Sequence, residues 1–186
     1  MAHIQVIVGS TRPGRVGRKI ADWYLANLQA PAGSTVELID LADVNLPLLD
    51  EAYPASMGQY QNDHTKQWAE LVGKADGYVW ITPEYNHAPS PALLNAISYL
   101  KAEWKYKPVA FVGYGTVGAA RAIEHLVSVS SELEMVPLRS RVWVNEPWAT
   151  VSEAGDIDTD AVKGGDPTGQ VTELIKWADA TKVLRG

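Results

Sequence analysis

Five short apolar runs, each followed by a stretch of helical period, constrain this chain more than any other feature. The runs, rich in β-branched and aromatic residues, cover Ile4 to Val8, Thr35 to Leu41, Gly77 to Thr82, Val109 to Tyr114 and Val136 to Val144. The helical stretches cover Gly17 to Leu28, Thr65 to Lys74, Pro91 to Lys101, Gly118 to Leu133 and Thr168 to Leu184. A run such as Tyr-Val-Trp-Ile-Thr (78–82) has no polar face to offer water, so it must be covered on both sides. Doubly covered strands alternating with helices imply βαβ crossovers and a parallel sheet, a doubly wound α/β architecture. No linker or composition break divides the 186 residues, so residues 1–186 read as one domain. The segment from Trp148 to Pro167 shows no period and many carboxylates, and is expected to be a surface excursion before the last helix.

Composition removes several chemistries. With no cysteine, the chain has no disulfide, thiolate nucleophile or cysteine-ligated metal, and any redox chemistry must come from a bound cofactor. The net charge of -6 and the lack of a Lys/Arg cluster argue against a nucleic-acid partner. No run approaches membrane-spanning length and no signal peptide is recognisable, so a soluble, cytoplasmic protein is expected.

In an open α/β sheet the ligand lies outside the carboxyl ends of the strands, where strand order reverses. Three loops there carry unusual residues. The first, Gly9 to Gly17, combines glycines, the hydroxyls of Ser10 and Thr11, and a helix start with unpaired N–H groups. That geometry suits a phosphate. Arg12 and Arg15 add charge-assisted contacts, which matter most for a terminal phosphate monoester. The loop matches neither the triphosphatase pattern Gly-x-x-x-x-Gly-Lys-Ser/Thr nor the dinucleotide pattern Gly-x-Gly-x-x-Gly, although Asp40 ends the second run where a ribose-binding acid would lie. The second, Thr82 to Leu100, opens with a loop stiffened by Pro83, Pro89 and Pro91, with Ser90 as the expected helix cap, and presents Glu84, Tyr85, Asn86 and His87 in succession. In the third, Gly113, Gly115 and Gly118 bring backbone close to the crevice, and Tyr114 is placed to lie along a planar ring. A planar ring with a phosphate is a mononucleotide. The plain alternatives are a solvated strand-to-helix loop, a capped turn and close helix–sheet packing.

The segments 9–15 (Gly-Ser-Thr-Arg-Pro-Gly-Arg), 75–97 (containing Pro-Glu-Tyr-Asn-His) and 113–126 (Gly-Tyr-Gly-Thr-Val-Gly-Ala-Ala-Arg-Ala-Ile-Glu-His-Leu) resemble the NADPH-dependent FMN reductase family of flavodoxin-like proteins, which includes quinone, chromate and azo-dye reductases. The resemblance runs from about Ile4 to Val144, and Pro-Glu-Tyr-Asn is its most specific element. It implies a flavodoxin-like three-layer sandwich with a five-stranded parallel sheet in the order 2-1-3-4-5. It further implies that Ser10, Arg12, Arg15, Val16 and Gly17 hold the FMN phosphate, that Pro83, Glu84, Tyr85, Asn86 and His87 line the ribityl chain and flavin, and that Gly113, Tyr114 and Gly115 approach the ring edge. Hydride would come from NADPH or NADH and pass through FMN to a small-molecule acceptor such as a quinone, flavin, azo compound or metal oxyanion. No protein acid, base, nucleophile or metal is required, and backbone N–H groups of residues 113–116 are the candidate donors to the reduced ring. The resemblance also implies a homodimer or homotetramer. Trp104 and Tyr106, in a loop, are the expected interface aromatics, while Trp23, Trp68 and Trp177 are expected against the sheet. Arg18 and Lys19 are positioned either for a 2′-phosphate or as a solvated helix face. The sequence departs from the family at Gly17, Arg15, Pro91, Leu94 and Ser98, where many relatives carry other residues.

Three rivals stand beside this. A flavodoxin-type electron carrier would bind FMN without nicotinamide turnover, but such carriers use a Thr/Ser-rich loop and a strongly acidic docking face. A dinucleotide oxidoreductase reading NAD through Asp40 lacks its glycine fingerprint. A small-molecule binding domain without catalysis has no specific support.

Overall fold

The computed structural model describes residues 2–185. Strands β1 (Ala2–Val8), β2 (Ser34–Asp40), β3 (Gly77–Pro83), β4 (Pro108–Gly115) and β5 (Val136–Asn145) pair in parallel in the expected order β2-β1-β3-β4-β5. A sixth strand, β6 (Val162–Gly164), adds to the free edge of β5 and runs antiparallel to it. Part of the segment read as a surface excursion is therefore sheet. Its Ile157 and Ala161 are buried, and Val151 and Ile157 form an antiparallel bridge. The helices are α1 (Gly17–Ala26), α3 (Asp63–Gly73), α4 (Pro91–Ser98), α5 (Ala120–Glu132) and α7 (Pro167–Thr181), with single-turn helices α2 (Leu41–Val44) and α6 (Pro147–Thr150) after β2 and β5. Among the described residues no helix is long and apolar enough to cross a membrane.

Strand alternation divides the interior in two. Ile4, Val6, Val8, Val79, Ile81, Ala110 and Val112 point to one face, where α1 and α7 close over them with Ile20, Tyr24, Val171 and Leu174. Ile7, Tyr78, Trp80, Val109 and Phe111 point to the other, under α3, α4 and α5 with Trp68, Val72, Leu93, Ile97, Ile123 and Leu126. Both faces of the central strands are thus consumed by packing, and only the strand ends are available for a ligand.

Two tryptophans are not where the sequence places them. Trp104 is 0% exposed and cannot anchor a contact between subunits. The turn following α4 folds inward, and the indole packs edge-on against Trp68, Tyr78 and Trp80, with ring centroids 6.3, 4.8 and 5.6 Å away. Trp177 is the converse: it lies on the outer side of α7 and is 43% exposed.

Candidate functional site

Strand order reverses between β1 and β3, and the loops that follow β1, β3 and β4 meet outside their carboxyl ends. The first loop leaves β1 through Gly9, whose N–H donates to the Ile81 carbonyl at 2.8 Å, and turns through a bond from Arg15 N–H to the Arg12 carbonyl at 3.1 Å. Val16 is the N-cap of α1 but supplies no capping side chain, so the first N–H groups of the helix remain available. The N–H groups of Thr11, Arg12, Gly14 and Val16 likewise donate to no acceptor among the described residues. Arg12 is exposed and has no carboxylate partner there. A cluster of unpaired N–H donors, a helix N-terminus and a free guanidinium fits a phosphate.

Arg15 has a different place. Its Nη2 donates to Asp40 Oδ2 at 2.5 Å, while Asp40 Oδ1 accepts from Ala42 N–H at 3.0 Å and so caps α2. The Asp40 side chain is only 3% exposed, which makes it a buried counter-ion rather than a ribose-binding acid. Arg18 lies 3.7 Å from the same carboxylate and donates to Asp22 at 2.9 Å, and Lys19 donates to the Ser152 carbonyl at 3.1 Å. Both make local contacts on the α1 surface, as the helix-face alternative expects. Gly17 is required by a neighbour: a Cβ there would lie 2.5 Å from the Tyr114 hydroxyl. That hydroxyl is buried and has no hydrogen-bond partner of normal geometry among the described residues. Burial pushes its pKa well above the usual tyrosine value.

The second loop is a tight turn. Tyr85 and Ala88 exchange both backbone hydrogen bonds at 2.9 Å, and the two residues between them, Asn86 (φ 52°) and His87 (φ 66°), are left-handed. That is a type I′ geometry, whose left-handed region asparagine and histidine enter more readily than most non-glycine residues. The turn thrusts Asn86 and His87 into solvent at the mouth of the crevice. Tyr85 leans back, and its hydroxyl shares a 3.0 Å hydrogen bond with Ser10. Ser90 does not cap α4 with its side chain; its hydroxyl instead donates to the Gly9 carbonyl at 2.6 Å and locks the first two loops together.

Glu84 also faces inward. Its Oε2 accepts from Arg121 N–H at 3.0 Å and Ala122 N–H at 3.3 Å, and its Oε1 from the Arg121 guanidinium at 2.5 Å. Burial raises the carboxyl pKa, but the bonds from Arg121 and Ala122 outweigh it and hold the group below the usual range. Glu84 thus caps α5, whose backbone N-cap, Ala119, is left-handed and has no capping side chain. Arg121, the partner that makes this cap, went unnoticed in the sequence because it reads as an ordinary exposed helix residue.

In the third loop, Gly113 is fixed by contact, since a Cβ there would collide with the Gly118 carbonyl. Gly118 (φ 61°) likewise lies flat against Trp143. The chain folds back on itself and leaves the N–H groups of Thr116 and Val117 without acceptors among the described residues. Tyr114 does not lie along the crevice. It is 5% exposed and belongs to the core beneath the first loop.

The predicted residues therefore sort by position. Ser10, Arg12, Val16, Gly17, Tyr85, Asn86, His87 and Gly115 sit on loops that share one crevice, with Pro83 ending β3 at its base. Arg15, Glu84, Gly113 and Tyr114 support these loops from behind. A cleft of about 310 Å³ between α2 and α4, lined in part by Thr11, Asn45 and Asn95, continues from the first loop.

The model of the NADPH-dependent FMN reductase family matches residues 2–149. The chain is 34% identical over 190 residues to the NAD(P)H-dependent FMN reductase ntnL of Nectria sp, covering 99% of this chain and 94% of that protein. It is 32% identical over 165 residues to the NAD(P)H-dependent FMN reductase LOT6 of Saccharomyces cerevisiae, covering 83% and 86%. Among solved structures it superposes on the flavoenzyme NAD(P)H:acceptor oxidoreductase FerB of Paracoccus denitrificans with a TM-score of 0.66, at 19% identity and over 100% of this chain and 97% of that one. That likeness establishes the shared fold.

Proposed function

Because the chain belongs to the NADPH-dependent FMN reductase family, we propose that it is an FMN-dependent NAD(P)H oxidoreductase that passes electrons to a small-molecule acceptor of the quinone, flavin, azo or metal-oxyanion type. The observation that carries the assignment is the first loop, where unpaired N–H groups and the unpartnered Arg12 converge at the start of α1. These groups would hold the FMN phosphate, with Ser10 fixed by Tyr85 and Arg15 held in place by Asp40. Pro83, Tyr85, Asn86 and His87 would border the ribityl chain and ring, and the N–H groups of Thr116 and Val117 would donate toward the ring edge. When bound, FMN supplies the hydride and electron chemistry. The protein's share is placement, the exclusion of water by rigid loops, and fixed donors for charge that develops on the ring.

Residues 1–186 would act as a single FMN-binding domain, in the cytoplasm where NAD(P)H is supplied. A homodimer belongs to the same proposal. Its support is an apolar strap between α2 and α3, where Leu48 (83% exposed), Leu49, Tyr53 and Met57 face solvent. The strap is held firmly: Asn95 accepts from Leu49 N–H and donates to the Pro47 carbonyl, and Asp50 accepts from His64, Tyr99 and Asn62. A rigid exposed apolar segment is a natural contact surface.

Purified protein titrated with FMN should bind it in preference to riboflavin. NAD(P)H added without oxygen should bleach the flavin, and a quinone should restore the colour over many turnovers. If only dithionite or a partner protein reduces the flavin, the chain is an electron carrier and not a reductase.

A further inference from the structure

The segment that the sequence leaves unassigned builds a second groove beside the crevice, largely apolar with a few polar groups at its edge. Strand β6 sets Lys163 directly opposite Trp143 of β5, so the two side chains share the α5 face of the sheet. With Thr116 and Val117 at the tip of the third loop, Ala120 at the start of α5, and Asn145, they line a groove of about 330 Å³. Its polar groups have no partners among the described residues. Lys163 is exposed and forms no ion pair there, and the side chains of Asn145 and Thr116 make no hydrogen bond there. The indole N–H of Trp143 is buried and has no acceptor there. The two basic residues of α1 nearest the first loop already have surface partners, Arg18 in Asp22 and Lys19 in the Ser152 carbonyl, whereas Lys163 has none among the described residues.

We infer that this groove holds the adenosine 2′-phosphate end of the nicotinamide donor, with Lys163 reading the 2′-phosphate and so favouring NADPH over NADH. The inference rests on the oxidoreductase assignment above and adds to it the place of the donor's remote end. Three features select this occupant. An apolar floor of Val117 and Ala120, edged by the Trp143 indole, suits a flat heteroaromatic ring. An unpaired ammonium and several idle hydrogen-bonding groups suit a phosphate and a ribose. The groove also shares Thr116 and Val117 with the loop that borders the proposed ring site, so the two sites adjoin.

The test separates binding from turnover. Calorimetry of the FMN-loaded protein with 2′,5′-ADP and with 5′-AMP should show tighter binding of the former, and Lys163→Ala should weaken 2′,5′-ADP roughly five- to tenfold, as expected for one partly solvated ammonium–phosphate contact. In steady state the ratio of KM for NADPH to KM for NADH should rise by a similar factor, and Lys163→Arg should restore it in part. Equal affinity for the two nucleotides, or a ratio indifferent to Lys163, overturns the inference while leaving the enzyme assignment intact. A protein that binds 2′,5′-ADP through Lys163 but is not reduced by either nucleotide would instead overturn the assignment and keep the groove.

Discussion

Single residues in the first loop carry separable loads, and substitutions distinguish them. Arg12 faces solvent without a carboxylate partner, so Arg12→Ala should leave the melting temperature near that of the wild type and weaken FMN binding by roughly 1.5–3 kcal/mol, the usual worth of a hydrogen bond to a charged group. Fluorescence titration of free FMN measures this. An unchanged affinity would remove Arg12 from the phosphate site. Gly17 is a packing requirement, because the Cβ of Gly17→Ala would lie 2.5 Å from the Tyr114 hydroxyl. Overpacking of this kind costs about 1–3 kcal/mol. Tyr114→Phe should itself be nearly neutral, since the lost hydroxyl is buried with no hydrogen-bond partner of normal geometry among the described residues, and should rescue Gly17→Ala in the double variant. Chemical denaturation of the four proteins in the cycle tests the pair, and strict additivity would refute the contact. The glycine was visible in the sequence as a departure from the family. Its cause was not, because Tyr114 lies far along the chain and reads as a residue of the crevice.

The elements were largely legible at this level, because an apolar run or a helical period reports burial wherever it is long enough to repeat. β1 to β5 and the five longer helices all satisfy that condition. β6, Val-Lys-Gly, is too short to show alternation, α2 is a single turn set by its Asp40 cap, and α6 is a single turn that begins at Pro147 with no capping side chain. The end of α3 shows how a distant residue completes an element. Lys107 Nζ donates at 3.1 Å to the carbonyl of Gly73, the last residue of α3, and at 3.1 Å to the Tyr78 hydroxyl. Its side chain is buried, and its pKa falls to about 8, through burial first and the nearby Arg185 second, against the opposing pull of Asp76 and Glu103. An unfolded lysine titrates near ~10.4, so above pH 8 the unfolded chain binds the proton that the folded chain has released. The lysine's contribution to stability therefore rises with pH across that window, and below it the folded state carries a penalty on the order of 3 kcal/mol. Denaturant midpoints measured from about pH 7.5 to about pH 10 should climb less in Lys107→Met than in the wild type. Equal slopes in the two proteins would show that Lys107 keeps its proton throughout.

At the scale of the whole molecule the sequence was least informative, since burial of a loop aromatic depends on where the loop turns and not on its composition. Trp104 fills the space between α3, α4 and the sheet, whereas the apolar strap of Leu48, Leu49, Tyr53 and Met57 lies outside it in a stretch with no secondary-structure signal. If the strap closes the flavin pocket of a neighbouring subunit, assembly and FMN binding are linked equilibria. Dilution through the dimer dissociation constant should then lower activity per subunit and release FMN over the same concentration range. Leu48→Asp should move both midpoints to higher concentration, because it buries an unpaired carboxylate at the contact. Its effect on the melting of the isolated subunit should be small, since Leu48 is 83% exposed there. Sedimentation, activity and flavin fluorescence followed on one dilution series decide the matter. A monomer that retains FMN and full turnover would leave the strap without a role in the site. A dimer that forms equally well with Leu48→Asp would place the contact on another face.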